Sequence, residues 1–118
     1  MEFEIIFYKD KSNKSPIEEF ILELGKSNRI LAAKIRQGID KLRNKVYHKE
    51  PLSKYLEARL WELRIKAGND ILRIIYTFAK GRIIILLHIF IKKKQKTPIG
   101  ELELARKRLK EIKLKEAN

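Results

Sequence analysis

The run from Ile83 to Ile91 constrains the fold more than any other part of the chain. It reads Ile-Ile-Ile-Leu-Leu-His-Ile-Phe-Ile, so neither set of alternate residues is polar. A strand of this composition has to be buried on both faces, which predicts a central position in a sheet. The run is far shorter than the ~20 residues needed to span a bilayer as a helix. No other apolar run in the sequence reaches that length.

The hydrophobic period changes in a readable order around this centre. Residues 2–8 are β-branched and aromatic with partial alternation, which predicts a first strand. Ser15-Pro16-Ile17-Glu18 is a helix start, with Ser as N-cap, Pro at the first helical position and Glu placed for a capping box. Ile17, Phe20, Ile21 and Leu24 make its apolar stripe, and Gly25 is expected to end it. Ser27 can cap a second helix whose stripe is Leu31, Ile35, Ile39, Leu42 and Val46. Residues 47–58, with Pro51 and mixed polar side chains, read as an irregular connector.

From residue 59 the period becomes two. Trp61, Leu63 and Ile65 alternate with Glu62, Arg64 and Lys66. Ala67 to Asp70 supplies turn residues, and 71–78 forms the next strand, with Arg73 interrupting an apolar run. Lys80-Gly81 turns the chain into the central strand. Thr97-Pro98 then opens a last helix, as N-cap and first position, with Leu102, Ala105, Leu109 and Ile112 in a single stripe. The prediction is one α+β domain over residues 1–118, in the order β-α-α-β-β-β-α, with a small, largely antiparallel sheet packed by helices. A chain of 118 residues has room for one such core.

Charge narrows the function. The formal net charge is +13 and it is unevenly spread. Residues 1–58 hold 12 Lys/Arg against 9 Asp/Glu, whereas residues 59–118 hold 16 against 6. Such an excess costs self-repulsion and points to a polyanionic partner, with the second half as the place to look. There is no cysteine, which removes disulfides and thiolate metal sites, and His48 and His88 lack ligand-like spacing. The N-terminus has no signal-peptide pattern. A cytoplasmic protein that uses neither metal nor cofactor and does not engage a membrane is expected.

If 59–66 and 71–78 pair as a hairpin, Arg64 and Lys66 lie beside Arg73 on one sheet face. On the following strand His88, Phe90, Lys92 and Lys94 share a side, and the run Lys92-Lys93-Lys94-Gln95-Lys96 emerges at the sheet rim. Crowded cations bind phosphates and stabilise a phosphorane, and arginine adds bidentate geometry. Exposed aromatics stack on unpaired bases. Cutting RNA without a metal requires the 2′-hydroxyl to be activated and the leaving 5′-oxygen protonated, and an imidazole or a lysine of depressed pKa can do this. The candidate catalytic residues are therefore Arg64, Arg73, His88, Lys92 and Lys94. The candidate RNA-binding residues are Lys66, Phe90, Lys93, Lys96 and Arg106. Two plainer readings stand beside these: His88 as a core histidine, and Arg73 as the partner of Glu62 across the hairpin. On the catalytic reading, Arg73→Ala abolishes activity and leaves the fold intact.

Three segments carry a family resemblance. Leu60-Trp61-Glu62-Leu63-Arg64-Ile65-Lys66, Leu72-Arg73-Ile74-Ile75-Tyr76, and Leu86-Leu87-His88-Ile89-Phe90-Ile91-Lys92-Lys93-Lys94-Gln95-Lys96-Thr97-Pro98 resemble, in this order, the phage-derived HigB-like branch of the RelE/ParE toxin superfamily. The resemblance covers essentially the whole chain and rests mainly on the third segment. It implies a compact α+β fold with helices on one face of a small sheet, and ribosome-dependent cleavage of translated mRNA at the ribosomal A site. It also implies neutralisation by a helix-turn-helix antitoxin, with operator DNA bound only through that complex. Arg64, Lys66 and Arg73 match the sheet cations that bind and polarise the phosphate, and Lys92 to Lys94 fall where the last strand carries basic catalytic residues. Glu62 stands where RelE tends to have a lysine, and no tyrosine follows Tyr76. The resemblance leaves two other readings: a ParE-like inhibitor of DNA gyrase, or a non-catalytic domain that binds antitoxin and nucleic acid.

Overall fold

The aliphatic run does form an inner strand. The computed structural model describes residues 2–92 and 97–117. In chain order it contains β1 (Glu4–Phe7), α1 (Pro16–Ser27), α2 (Arg29–Lys41), a 3-10 turn (Lys45–Tyr47), β2 (Ser53–Glu57), β3 (Leu60–Ala67), β4 (Asp70–Ala79), β5 (Ile83–Lys92) and α3 (Ile99–Ala117). The strands form one mixed sheet in the order β1-β5-β4-β3-β2. β1 runs parallel to β5, and every other pairing is antiparallel. The α+β class and the largely antiparallel sheet are as expected, with one strand more than the sequence suggested.

That extra strand is β2, inside the segment read as irregular. Its five residues, Ser-Lys-Tyr-Leu-Glu, carry no clean alternation and become a strand by pairing with β3. The connector is also tied down upstream, where the Arg64 backbone N–H donates to the Leu52 carbonyl at 2.8 Å. Helix boundaries shift for equally local reasons. Ser15 does cap α1, accepting from the Glu18 N–H. α1 then runs through Gly25 to Ser27, whose hydroxyl donates back to the Leu24 carbonyl. Asn28, rather than Ser27, caps α2. α2 ends at Lys41, so Val46 lies beyond it and is exposed.

The two faces of the sheet carry separate cores. On one side α1 and α2 bury Ile17, Ile21, Ile35, Ile39 and Leu42 against Leu63, Ile65, Leu72, Ile74, Tyr76, Ile84 and Leu86. α2 can come this close because Gly38 has no side chain; a β-carbon there would lie 3.0 Å from Ile65. On the other side α3 buries Ala105 and Leu109 against Leu60, Ile75, Ile85, Leu87 and Phe90. Each fully buried Leu or Ile contributes about 1.5–3 kcal/mol. Helices therefore cover both faces, not one. β5 accordingly needs both of its faces apolar.

Candidate nucleic-acid interface

Strand register places the sequence-predicted residues in rows across the α3 side of the sheet. Lys66 pairs with Ile71, which pairs with Lys92; Arg64 pairs with Arg73, which pairs with Phe90. The next row runs Lys54, Glu62, Ile75, His88. Arg64, Lys66, Arg73, His88, Phe90 and Lys92 thus share one face, as the alternation predicts. Lys93, Lys94 and Lys96 lie outside the described residues.

α3 divides this face into a covered part and an open part. Under its N-terminal end Glu62 is fully buried. Its Oε1 accepts from Arg73 and lies 3.6 Å from Arg64 Nε, and its Oε2 accepts from Thr97 Oγ1 at 2.7 Å. The Thr97 hydroxyl therefore secures the entry to α3 on the sheet instead of capping it, and the helix begins at Ile99. Arg73 is only 4% exposed. It is locked against Glu62, so the plainer reading of this residue describes its geometry, and Arg73→Ala cannot be expected to leave the fold intact. Lys92 is buried beside the same cluster. Its pKa is lowered, chiefly by burial; Glu62 opposes this, while Arg73, Arg64 and Lys54 add to it.

His88 and Phe90 also lie beneath α3. The rings stack at 5.5 Å, and His88 Nε2 is 2.9 Å from Glu101 Oε2 on the helix. Burial pushes the His88 pKa down, against the raising effect of Glu101. Phe90 is buried, which corrects the expectation of an exposed base-stacking ring. Arg106, on the outside of α3, chelates Glu57 through Nε and Nη2 at 2.8 and 2.6 Å. Tyr76 faces the other core, donating to Ser53 Oγ at 2.8 Å; burial pushes its pKa up to about 12, so it keeps its proton.

The open part is a cleft of about 610 Å³ where β3 and β4 meet the 41–52 segment. Arg64, Lys66 and Ile71 form the sheet side; Lys41, Tyr47, Lys49 and Glu50 stand opposite. Lys41 Nζ lies 5.6 Å from the centre of the Tyr47 ring. Arg64, a quarter exposed, is 3.6 Å from Glu50 and is anchored behind by Glu62. Its Nε–H has no hydrogen-bond acceptor among the described residues. Lys41, Lys49 and Lys66 make no ion pair among them either. Four cations around one carboxylate make a site for a polyanion backbone. Sequence reasoning found its sheet side and missed Lys41, Tyr47 and Lys49. Those three come from a helix end and a turn, where no periodicity marks a face.

Among the described residues, no group of three His, Asp or Glu side chains is arranged to hold a metal ion, and no helix is long and apolar enough to cross a membrane. A protein-family model described as phage derived protein Gp49-like matches residues 19–110, most of the chain. No curated protein matches it.

Proposed function

Because the chain belongs to the Gp49-like family of phage-derived proteins, part of the RelE-type toxin group of toxin–antitoxin systems, we propose that it is a HigB-like toxin that cleaves mRNA during translation. The family implies an antitoxin as partner. A helix-turn-helix antitoxin, which carries the complex to operator DNA, and mRNA in the ribosomal A site belong to the proposal. So does a cytoplasmic location.

The observation that carries the reading is the cationic cleft. Arg64 and Lys66 hold the scissile phosphate and neutralise the charge that builds on it during in-line attack by the 2′-oxygen, which passes its proton to solvent as the 2′,3′-cyclic phosphate forms and the P–O5′ bond breaks. Arg64 suits this because Glu62 and Glu50 flank its guanidinium while the side chain stays a quarter exposed in the cleft. Lys92 pairs across the sheet with Ile71, which lines the cleft. Lys92, on the same sheet face beside the Glu62 cluster, stays in the proposal as the proton donor to the leaving 5′-oxygen. Arg73 supports the site indirectly by keeping Glu62 compensated. Lys93 and Lys96 remain part of the proposal as contacts to the flanking backbone, and Lys94 as a catalytic candidate that stabilises the transition state.

Induced expression tests this reading. Growth arrest is expected, with primer extension finding cuts inside reading frames only while translation proceeds. Arg64→Ala should remove both effects while the protein stays folded. Blocked DNA supercoiling with intact mRNA, or normal growth with soluble wild-type protein, would overturn it.

A further inference from the structure

A second recess lies beside the cleft, over the 3-10 turn and toward the opposite face of the sheet. It measures about 640 Å³ and is lined by Phe3, Lys45, Val46, His48, Lys49 and Phe78. Val46 and Lys49 line both the recess and the cleft, so the turn is the ridge between them. Three aromatic rings build the recess. Phe3 and His48 lie 4.7 Å apart, His48 and Phe78 5.1 Å, and Phe3 and Phe78 5.9 Å, all edge to face. Phe78 also meets Trp61 and Tyr76 edge to face, so the ring surface left for a ligand is the part that lines the recess. His48 is fixed by a 2.6 Å hydrogen bond from its Nε2 to the Leu42 carbonyl, which makes the imidazole a rigid wall. Arg82 sits 5.5 Å from the centre of the Phe3 ring, and no described lining residue is a carboxylate.

We propose that this recess receives one unpaired base of a single-stranded RNA whose backbone crosses the Lys45–Tyr47 ridge from the Arg64–Lys66 cleft. The proposal rests on the RNA reading above and adds a base site to it. Rings that can stack, framed by cations without a competing acid, are what a sequence-tolerant contact to single-stranded nucleic acid requires. An apolar peptide would gain nothing from Lys45, Lys49 and Arg82.

The only tryptophan in the chain reports on the site, because the Trp61 ring lies 4.8 Å from Phe78. Full-length protein would be titrated with a ten-nucleotide single-stranded RNA, the same chain made abasic, and inorganic polyphosphate. The RNA should bind about tenfold more tightly than the abasic chain and change Trp61 emission, whereas polyphosphate should bind without the emission change. Phe78→Leu keeps apolar volume but removes the ring, and His48→Ala removes a wall. Each should erase the advantage over the abasic chain while leaving polyphosphate binding unchanged, with folding checked by thermal melting. Equal affinity for RNA and abasic chain, with silent Trp61, overturns the base site and leaves the cleft reading intact. Failure of all three polyanions to bind overturns both.

Discussion

At Glu62 a carboxylate without solvent exposure takes hydrogen bonds from Arg73 and Thr97 and faces Arg64, so cations that look alike in sequence have unlike duties. Removing one member of a buried pair strands the other's charge, at a cost of about 3–5 kcal/mol, whereas exposed pairs contribute about 0–1 kcal/mol. Arg73→Ala and Glu62→Ala should therefore each lose about 3–5 kcal/mol in urea unfolding, and Arg64→Ala about 1 kcal/mol or less. Equal losses at Arg64 and Arg73 would show that the two are not divided between binding and support. Much of this site was legible beforehand: alternation alone puts Arg64, Lys66, Arg73 and Lys92 on one face. Depth was not legible, because it depends on where α3 lies, and no spacing within β3 or β4 encodes that. The pairing of Arg73 with Glu62 was available from their placement on adjacent strands. Thr97 joining them was not, because it lies 35 residues from Glu62.

At the scale of elements, α3 is held to the rest of the fold partly by side-chain contacts, and His88–Glu101 is a titratable one. The folded His88 pKa lies below the ordinary imidazole value near 6.5, with burial as the main cause, Glu101 opposing and Arg108 adding to it. As pH falls through about 6.5 the unfolded chain takes up this proton before the folded one does, so stability declines. Urea unfolding at pH 7.5 and 5.5 should show that loss in the wild type and a smaller one in His88→Gln, which cannot titrate. An identical loss in both would assign the pH dependence to other groups. The same element shows what local pattern can convey. The stripe of Leu102, Ala105, Leu109 and Ile112 predicts a helix and its buried face, and both are found. Which sheet face it covers is not local information, and the expectation of helices on one side failed there. β2 escaped notice for a related reason. It is an edge strand, paired only with β3, and Tyr55 and Lys54 are exposed, so burial never imposed alternation on its residues.

For the whole molecule, a formal charge of +13 overstates what a polyanion would meet. Arg36 is paired with Glu18, Arg43 with Asp40, Lys26 with Glu23 and Arg106 with Glu57. Arg73 is internal, while Lys41, Lys49, Arg64 and Lys66 converge on one cleft. Binding should therefore follow the convergent set rather than the total. Each phosphate contact to a single strand contributes about −0.7 to the slope of log affinity against log salt, so four contacts predict a slope near −3. Fluorescence anisotropy of a labelled oligoribonucleotide across 50–300 mM salt measures it. Lys66→Ala should make the slope shallower by about 0.7, while Lys26→Ala, on the outer surface of α1 and already paired with Glu23, should leave it unchanged. Equal effects from the two variants would mean that the chain attracts RNA through diffuse charge, in which case the cleft has no privileged part in binding.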